Sequence, residues 1–313
     1  MKNYKTIWLL NIGEPLPQDG SRPHRMSLWK NWLSSIGNKI LFFTTDFEHQ
    51  RKKWVKTLPK NYVKLSSYVP YYKNIGIRRL INHFFIYLSF IREAKKRKKP
   101  DLIIVSYPTI LLSLAAVNYG KKNNIKVIVD VRDKWPDIFI NSIYLKWILT
   151  PIVLIKKYIM KNSICISISP GYYEWATNKN KISFSHILPL SYSEKFSLVK
   201  RNIHSNKKII FLFVGTLGLS FNSDLIISLY SVLKNNNINF RIDICGDGPE
   251  KVNFLKKIKN KKNIKFYGWV KKNKLDKILN KSNFGLVFYN SNSPQGWPNK
   301  LIEYISNGIP IIN

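Results

Sequence analysis

Short apolar runs rich in β-branched residues recur along the chain and alternate with longer segments of helical periodicity. In the first half, the predicted strands cover residues 6–12, 40–44, 102–106, 127–131 and 164–168. In the second half, they cover residues 209–214, 241–245, 264–267 and 284–289. Continuous apolar strands separated by helices are typical of a parallel sheet that is covered on both faces. The pattern therefore predicts an α/β protein.

The predicted helices fall between these strands. The first begins near Pro23, and the others cover residues 77–99, 109–121, 224–234, 249–259, 273–280 and 298–306. A polar gap at 201–208, rich in Lys, Asn and Ser, separates the two series of strands and helices. Because 313 residues exceed the size at which one core usually keeps growing, two domains are expected. We predict two doubly wound domains, 1–200 and 209–313, with a linker at 201–208 and a ligand cleft between them.

The chain is strongly basic, with 52 Lys and Arg residues against 17 Asp and Glu residues and a net charge of +35. Such a field attracts polyanions, either nucleic acid or the anionic face of a membrane. Ordinary loops such as 259–262 are equally rich in lysine, so we interpret most of the excess as compositional. Composition therefore predicts no specific nucleic-acid partner.

Cys165 and Cys245 both lie inside apolar runs that are predicted to be buried strands. Neither position suggests a disulfide or a metal ligand, and both fit a reduced, cytosolic protein. The apolar run within residues 1–12 is too short for the core of a signal peptide, so secretion is not expected.

The most informative segment lies between the strand predicted at 284–289 and Gly308. Pro298 favours a helix start and Gly308 a helix end, and free amides at a helix start bind phosphate. Asn299, Lys300 and Glu303 share one side of this helix because of their three- and four-residue spacing. An amide, a cation and a carboxylate placed in this way suit a nucleotide diphosphate with a ribose diol.

This segment resembles the nucleotide-sugar site of family-4 retaining glycosyltransferases of the GT-B fold, whose signature is two glutamates separated by seven residues. Glu303 matches the second glutamate, and Gln295 stands in place of the first. The resemblance implies two Rossmann-like domains, with Glu303 on the ribose hydroxyls and Gln295 at a catalytic position without charge. It also implies that three residues lie beneath the donor sugar and pyrophosphate: Gly296, Trp297 and Pro298. The alternative is an ordinary amphipathic helix with Glu303 on a solvated face.

The loop after the first strand carries Gly20 and then Arg22, His24 and Arg25 close to a predicted helix start. Cations oppose the dipole at that end of a helix, which a protein tolerates more readily if an anion binds there. The block 13–26 resembles a subgroup that builds bacterial surface polysaccharides. By that resemblance, the loop approaches the donor and acceptor phosphates and these four residues bind substrate. The alternative is a set of exposed basic residues in an overcharged protein.

Asp133 follows the strand predicted at 127–131 and therefore lies at the carboxyl end of the first sheet, where ligands of α/β folds gather. The resemblance places it in the cleft opposite the donor, where it would orient an acceptor hydroxyl or a sugar hydroxyl. A helix capped by Asp133 is an equal alternative.

In the second domain, the turn with Gly215, Thr216 and Gly218 resembles the one that opens the nucleotide domain of these enzymes, where backbone amides approach phosphate. Residues 219–224 lack the Arg and Lys that many relatives carry, so Lys300 or an arginine of the first domain would supply the charge. The glycine-rich turn at 246–250 matches the family pattern and has a structural role there. Trp269 and Val270 match the segment that reads the nucleobase, although Trp269 also fits a packed core position.

The sequence contains no Asp-x-Asp pair and no His, Asp or Glu spacing typical of a metal site. We therefore predict that the protein uses no metal and no cofactor and turns over without divalent ions. The basic amphipathic helix at 77–99 is compatible with lying on an anionic bilayer, whereas Lys146, Pro151 and Lys156 make 143–160 a poor membrane span. Core helices explain both segments equally well.

Together, these features predict a metal-independent retaining glycosyltransferase. It would move a hexose or N-acetylhexosamine from a nucleotide diphosphate sugar, with UDP expected, to a lipid-linked glycan acceptor. The resemblance places it in O-antigen or capsule synthesis, in the cytoplasm and peripherally on the inner face of the cell membrane. Relatives usually continue past the position of Asn313, which implies an incomplete C-terminal domain. The alternatives are a nucleotide-sugar 2-epimerase of the same fold and an inactive, truncated binder of sugar nucleotides or polyanions. The sequence does not indicate an oligomeric state.

Overall fold

The computed structural model describes residues 5–14, 16, 24–49, 52–72, 76–137, 143–177, 185–190, 208–218, 221–288 and 298–313. The chain divides into two compact units, Met1–Pro189 and Leu190–Asn313. Residues 201–207 of the predicted linker lie outside the described residues, so a linker at 201–208 stays a prediction.

The first unit is built on a parallel sheet. Its strands are β1 (Thr6–Leu10), β2 (Lys39–Thr45), β3 (Phe47–Glu48), β4 (Lys53–Trp54), β5 (Tyr62–Leu65), β6 (Leu102–Tyr107), β7 (Lys126–Val131), β8 (Ile164–Ser167) and β9 (Ser185–Ile187). Its helices are α1 (Arg25–Ser35), α2 (Ile77–Lys95), α3 (Ile110–Asn123), α4 (Ile143–Lys161) and α5 (Pro170–Thr177). The sheet has the order β5-β2-β1-β6-β7-β8-β9, while β3 and β4 form a short antiparallel hairpin.

The second unit repeats the same architecture with fewer strands. Its strands are β10 (Ile209–Val214), β11 (Phe240–Cys245), β12 (Ile264–Gly268), β13 (Phe284–Leu286) and β14 (Ile311–Ile312). Its helices are α6 (Ser223–Asn235), α7 (Lys251–Ile258), α8 (Lys272–Lys281) and α9 (Asn299–Ser306). The strands form a parallel sheet in the order β12-β11-β10-β13-β14.

The alternation of side chains along β1 divides the first core into two layers. Ile7 and Leu9 pack with Met26 of α1 on one face of the sheet. On the other face, the Trp8 ring centroid lies 4.9 Å from that of Phe43, 6.3 Å from that of Phe90 in α2 and 5.5 Å from that of Tyr119 in α3. Helices therefore cover both faces, as the run of apolar residues predicts.

The second sheet is covered in the same way. One face packs against α6 and α7 through residues that include Phe213, Ile226 and Phe254, and the other packs against α8 and α9 through Leu279 and Tyr304. The two faces again correspond to alternate positions of β10. The prediction of an α/β protein with two doubly wound, Rossmann-like units is confirmed.

Several elements differ from the prediction. The hairpin β3–β4, strand β5 and helix α5 were not predicted, because these segments are short and lack a clear period. Helix α1 begins at Arg25, after the predicted start near Pro23, and α7 begins at Lys251 instead of Pro249. The apolar stretch near Ile143 forms helix α4 with Pro151 inside it. Among the described residues, no helix is both long enough and apolar enough to cross a bilayer.

Candidate functional site

Two glycine turns at the carboxyl ends of β10 and β11 stack backbone on backbone. The N–H of Gly215 donates to the carbonyl of Cys245 at 3.0 Å, and that of Leu217 donates to the carbonyl of Asp247 at 3.0 Å. A Cβ atom on Gly246 would lie 1.8 Å from the Gly215 carbonyl oxygen, so no side chain fits there. Gly248, with a φ of +158°, would place a Cβ 2.4 Å from the carbonyl oxygen of Leu217. The glycines of the 246–250 turn therefore shape the neighbouring turn at 214–218.

The turn after β12 joins the same edge of the sheet. The Gly268 carbonyl accepts a hydrogen bond from the N–H of Gly246 at 2.8 Å. Trp269, the next residue, is 53% exposed, which excludes the alternative of a packed core tryptophan. Val270 instead packs against the core layer beneath α8 and α9. Trp269 is thus accessible beside the two glycine turns.

Helix α9 brings two charged residues into the interior at this edge. Pro298 occupies the N-cap position with extended backbone, one residue before the helix, so the predicted start at Pro298 is shifted to Asn299. Lys300 is 5% exposed and Glu303 is 2% exposed. The alternative of a solvated helix face carrying Glu303 is therefore wrong.

The side chain of Lys300 lies against the end of β10 and the turn that follows this strand. Its Nζ atom is 3.6 Å from the centroid of the Phe213 ring, and the position of a Cβ on Gly215 would be 3.6 Å from the same atom. Burial lowers the pKa of the Lys300 ammonium to about 7. A lysine in this state gains charge readily when an anion enters its surroundings.

Glu303 lies within electrostatic range of Cys245 at the end of β11. Burial is the main cause that raises the pKa of the Cys245 thiol to about 12, and the charge of Glu303 adds to the rise. Both Cys245 and Cys165 are buried free thiols, as predicted. Both charged residues of α9 are therefore inside the unit, and Lys300 lies next to the turn at 214–218.

Tyr304 fixes α9 to the central strand β10. Its hydroxyl donates to the carbonyl of Leu212 at 2.8 Å and accepts the N–H of Val214 at 2.9 Å. Gly285 of β13 makes room for the ring, since a Cβ there would lie 2.4 Å from Tyr304. The sequence spacing gave no signal for this link, which connects residues far apart in the chain.

In the first unit, the carboxylate of Glu14 is bound at the start of α1. The Glu14 carboxylate accepts the N–H groups of Met26 at 2.9 Å and Ser27 at 3.1 Å, and the Ser27 hydroxyl at 3.1 Å. Arg132 Nη1 donates to the same carboxylate at 3.0 Å. The sequence led us to expect an anion from a ligand at this helix start, and the structure supplies Glu14 in that role. His24 occupies the N-cap position of α1 and makes no side-chain cap hydrogen bond.

Arg25 is buried and paired across the unit. Its Nε donates to both carboxylate oxygens of Asp130 at 3.1 Å, and its Nη1 donates to the Pro189 carbonyl at 2.7 Å. Burial lowers the pKa of Arg25 and raises that of Asp130, and their mutual attraction opposes both shifts. The alternative of an exposed basic residue is therefore wrong for Arg25, whose guanidinium ties α1 to the end of β7.

Asp133 lies in the turn after β7, where burial raises the pKa of its carboxyl group. It occupies no helix N-cap in the described segment 76–137, which argues against the capping alternative. Its charge acts on Arg79 of α2 and on the nearby Tyr172. Asp133 is therefore close to groups from two other elements.

Several predicted site residues lie outside the described residues and stay predictions: Gly20, Arg22, Gln295, Gly296 and Trp297. The same holds for the side chain of Asn299. Among the described residues, no group of three or more His, Cys, Asp or Glu side chains is arranged to hold a metal ion.

Comparison with known proteins agrees with this architecture. Residues 194–313 match the family model for glycosyl transferases group 1. None of the curated proteins matches the chain by sequence.

Solved structures are similar over nearly the whole chain. The lipopolysaccharide outer core galactosyltransferase WaaB, in its apo form, is 17% identical over 98% of this chain and 79% of its own, with a TM-score of 0.58. WaaG, a glycosyltransferase involved in lipopolysaccharide biosynthesis, is 13% identical over 98% and 80%, with a TM-score of 0.65. Anabaena Alr3699/HepE in complex with UDP-glucose is 10% identical over 98% and 79%, with a TM-score of 0.63. At identities this low, the structural similarity shows the fold alone, and the family match over residues 194–313 adds the type of the second domain. Fold and domain content together support a glycosyltransferase of the GT-B type.

Proposed function

We propose that the protein is a retaining glycosyltransferase that moves a hexose or N-acetylhexosamine from a UDP-sugar to a lipid-linked glycan acceptor in O-antigen or capsule synthesis. The observation that carries the proposal is the burial of Lys300 beside the glycine turn at 214–218, with Glu303 buried on the same helix. Ligands of α/β folds gather at the carboxyl end of the parallel sheet, and a cation and a carboxylate on one helix there match a diphosphate and a ribose diol. A nucleotide diphosphate sugar uses both.

The donor would lie along this edge. The backbone amides of the turn with Gly215, together with Lys300, would hold the diphosphate, and Glu303 would accept the ribose hydroxyls. The exposed Trp269 would lie against the nucleobase. Two of the similar solved structures contain nucleotides: UDP-glucose in Anabaena Alr3699/HepE, and ADP together with acarbose in Arabidopsis starch synthase IV. They support a nucleotide sugar as the donor.

In the proposed reaction, the bond between the anomeric carbon and the diphosphate oxygen breaks while the acceptor oxygen bonds to that carbon on the same face. The acceptor proton goes to the departing diphosphate oxygen. Lys300 would stabilise the charge that develops on this leaving group, and Asp133 would orient the acceptor hydroxyl. Because Lys300 and the turn amides meet the leaving-group charge, we propose turnover without divalent metal. Loss of activity on adding EDTA, restored by a divalent ion, would contradict this step.

The donor site is tested by thermal unfolding with a panel of nucleotide sugars, because a ligand that binds the native state raises its melting temperature. We expect the true donor and UDP to raise it by about 2–4 °C or more at saturating concentration. Glu303→Ala should remove this protection. Glu174→Ala, the same substitution at an exposed position of α5, should keep it. Protection that persists unchanged in Glu303→Ala would refute the ribose role.

Transfer itself is tested by incubating the donor with and without acceptor lipid. We expect release of UDP coupled to glycan formation only when the acceptor is present. Epimerised sugar produced from the donor alone would instead identify a 2-epimerase and refute transfer.

We further propose that α2 docks the protein on an anionic bilayer. The outer face of the helix exposes an apolar stripe at three- and four-residue spacing, composed of Ile77, Leu80, Ile81, Phe84 and Leu88. The exposed Lys95, Lys98 and Lys99 follow at its end. An apolar face next to cations is typical of a helix that lies in the interface of an anionic membrane.

Sedimentation with vesicles tests the docking surface. We expect binding to vesicles that contain phosphatidylglycerol and weak binding to pure phosphatidylcholine. The double substitution Phe84→Ser and Leu88→Ser should weaken binding by about tenfold or more, because each side chain contributes about 1.5–3 kcal/mol when buried. Val252→Ser with Leu255→Ser removes two exposed apolar side chains from α7 and should leave binding unchanged. Equal losses in both double variants would contradict a specific docking helix.

A further inference from the structure

Three basic side chains, His49, Lys52 and Arg79, surround Tyr71 in the first unit, outside the donor site, and a fourth, His83, lies within electrostatic range of two of them. His49 and Lys52 flank the connection between β3 and β4, which follows the carboxyl end of β2. Arg79 and His83 come from the first two turns of α2 and share one face at four-residue spacing. We call these four residues the basic cluster.

Contacts place His49, Lys52 and Arg79 in one small region, and His83 lies within electrostatic range of His49 and Arg79. His49 Nδ1 lies 2.7 Å from the Tyr71 hydroxyl and 3.3 Å from Lys52 Nζ. Lys52 Nζ is also 4.9 Å from the centroid of the Tyr71 ring, and the Arg79 guanidinium carbon is 5.9 Å from the same centroid. The connection between β3 and β4 and helix α2 therefore present Lys52 and Arg79 to the same aromatic ring.

His83 is the innermost member and points to a missing ligand. It is 7% exposed, and its Nε2 has no hydrogen-bond partner among the described residues. Buried polar atoms in native proteins nearly always have a partner. A ring nitrogen left without one, beside three other basic groups, fits a site whose partner comes from outside the protein.

The basic groups of the cluster act on one another electrostatically. Burial, together with the nearby charges of Lys52 and Arg79, lowers the pKa of His49 to about 3, and burial, with Arg79 and His49, lowers that of His83 to about 3. Burial and the charge of Arg79 also lower the pKa of Lys52 to about 8. The carboxylate of Asp133 acts on Arg79, after burial and Tyr71. A bound anion would oppose the like-charge part of these shifts.

We propose that the basic cluster binds a phosphate or diphosphate group. Lys52 and Arg79 supply the charge, His83 Nε2 supplies a hydrogen bond, and the start of the 19-residue helix α2 adds the positive end of its dipole. Arginine and lysine together with a neutral imidazole form a donor set suited to tetrahedral oxyanions.

The acceptor is a natural source of this anion. The inner face of α2 carries Arg79 and His83, while its outer face carries the exposed stripe with Leu80 and Phe84. A lipid diphosphate could therefore place its anionic group in the basic cluster and leave its chain in the bilayer. Asp133, which would orient the acceptor hydroxyl, lies within electrostatic range of Arg79. This assignment of the anion to the acceptor rests on the proposed function, whereas the anion site does not.

Calorimetric titration of the full chain with inorganic pyrophosphate tests the site. The titration is run without lipid and with UDP at saturation, so that the donor site is occupied. Lys52→Gln and Arg79→Gln should each weaken pyrophosphate binding by about tenfold or more, because each removes a charge-assisted hydrogen bond. The chain offers matched controls in the neighbouring exposed residues, Lys53→Gln and Arg78→Gln, which should change affinity less than about twofold.

A spectroscopic readout keeps the test independent of folding defects in the variants. In protein labelled with ¹⁵N-histidine, the Nε2 resonance of His83, assigned with His83→Gln, should shift on addition of pyrophosphate. Absence of pyrophosphate binding, an unmoved His83 resonance, or equal losses in cluster and control variants would each overturn the site. Because UDP binding is measured first, failure of UDP to bind would count against the donor site and leave the anion site standing.

The source of the anion is tested with phosphatidylcholine vesicles that contain or lack a polyprenyl diphosphate. We expect this lipid to increase vesicle binding, and Arg79→Gln to remove the increase while Arg78→Gln keeps it. Binding of soluble pyrophosphate without any response to the lipid would assign the site to a soluble phosphate compound and overturn its role in acceptor binding.

Discussion

Lys300 holds its Nζ atom 3.6 Å from the centroid of the Phe213 ring, where α9 crosses the carboxyl end of β10. The aromatic face favours the ammonium, but burial disfavours it more strongly and lowers the pKa of Lys300 to about 7. The residue therefore changes charge near neutral pH in the protein without ligand. A diphosphate placed against it would hold the proton.

This relationship predicts a pH dependence of nucleotide binding. In the complex, the diphosphate raises the pKa of Lys300, so binding takes up a proton between about pH 7 and the higher pKa of the complex. The association constant for UDP should therefore fall above about pH 7, by up to about tenfold for each pH unit. Isothermal titration calorimetry across this range measures the slope.

Two substitutions separate the charge of Lys300 from its packing. Lys300→Met should weaken UDP binding at neutral pH and flatten the profile above it, since no group remains to take up the proton. Lys300→Arg should also flatten the profile because arginine stays charged, while it keeps more affinity than Lys300→Met. A slope in Lys300→Met as steep as in the unmodified protein would assign the proton to another group.

Gly246 is predicted to be essential to the stacked turns. A Cβ at this position would lie 1.8 Å from the carbonyl oxygen of Gly215, so Gly246→Ala must move one turn away from the other. We expect the free energy of unfolding to fall by about 2–3 kcal/mol and UDP binding to weaken with it. Urea unfolding followed by tryptophan fluorescence measures the first effect.

Gly218→Ala is the control for this substitution. A Cβ at Gly218 would meet its nearest neighbour, Thr216 Cγ2, at an ordinary distance of 3.7 Å. Its stability should change by less than about 0.5 kcal/mol. Equal stability of the two alanine variants would show that the turns are not in close contact.

Local pattern predicted most of the regular structure. Strands such as β6, β7 and β10 are continuous apolar runs, and a buried parallel strand requires such a run. The hairpin β3–β4 has only two residues in each strand, and Glu48 pairs with Lys53, so no period is available to reveal it. Helix ends were displaced by one to four residues, the most at α2, which was predicted to end at residue 99 and ends at Lys95, because neighbouring turns, and not the helix sequence, decide where the last hydrogen bonds form.

The candidate site was predicted in part. Spacing placed Lys300 and Glu303 on one side of α9, but it did not show that this side faces the interior. That orientation depends on Tyr304, whose hydroxyl donates to the carbonyl of Leu212 in β10. Likewise, Glu14 at the start of α1 and Arg132 beyond β7 are joined only in the folded unit. Contacts between distant segments leave no regular pattern in the sequence. For the same reason, the basic cluster around Tyr71 was not predicted.

The stability of the first unit is predicted to depend strongly on the ion pair between Arg25 and Asp130. Both side chains are almost fully buried, and the shortest separation between Nε and a carboxylate oxygen is 3.1 Å. Asp130→Asn leaves the guanidinium without its counter-charge and should lower the free energy of unfolding by about 3–5 kcal/mol.

The double variant Arg25→Met with Asp130→Leu removes both charges and should recover a large part of that loss. Lys251→Met breaks the exposed pair with Asp247 and should cost less than about 1 kcal/mol. Urea unfolding of the four proteins tests the comparison. If Asp130→Asn costs no more than Lys251→Met, the buried pair is not formed in solution.

Tyr304→Phe tests the attachment of α9 to β10 with minimal change of shape. The hydroxyl satisfies the carbonyl of Leu212 and the N–H of Val214, and without it both buried groups lose their partner in this contact. We expect a loss of about 1–3 kcal/mol in the free energy of unfolding. Because Val214 leads directly into the turn that approaches Lys300, UDP binding should weaken as well. Tyr158→Phe removes an exposed hydroxyl that contacts Asn118 and should change neither quantity measurably. A stable Tyr304→Phe protein with unchanged UDP affinity would show that α9 is held by apolar packing alone and that the hydroxyl does not position the turn.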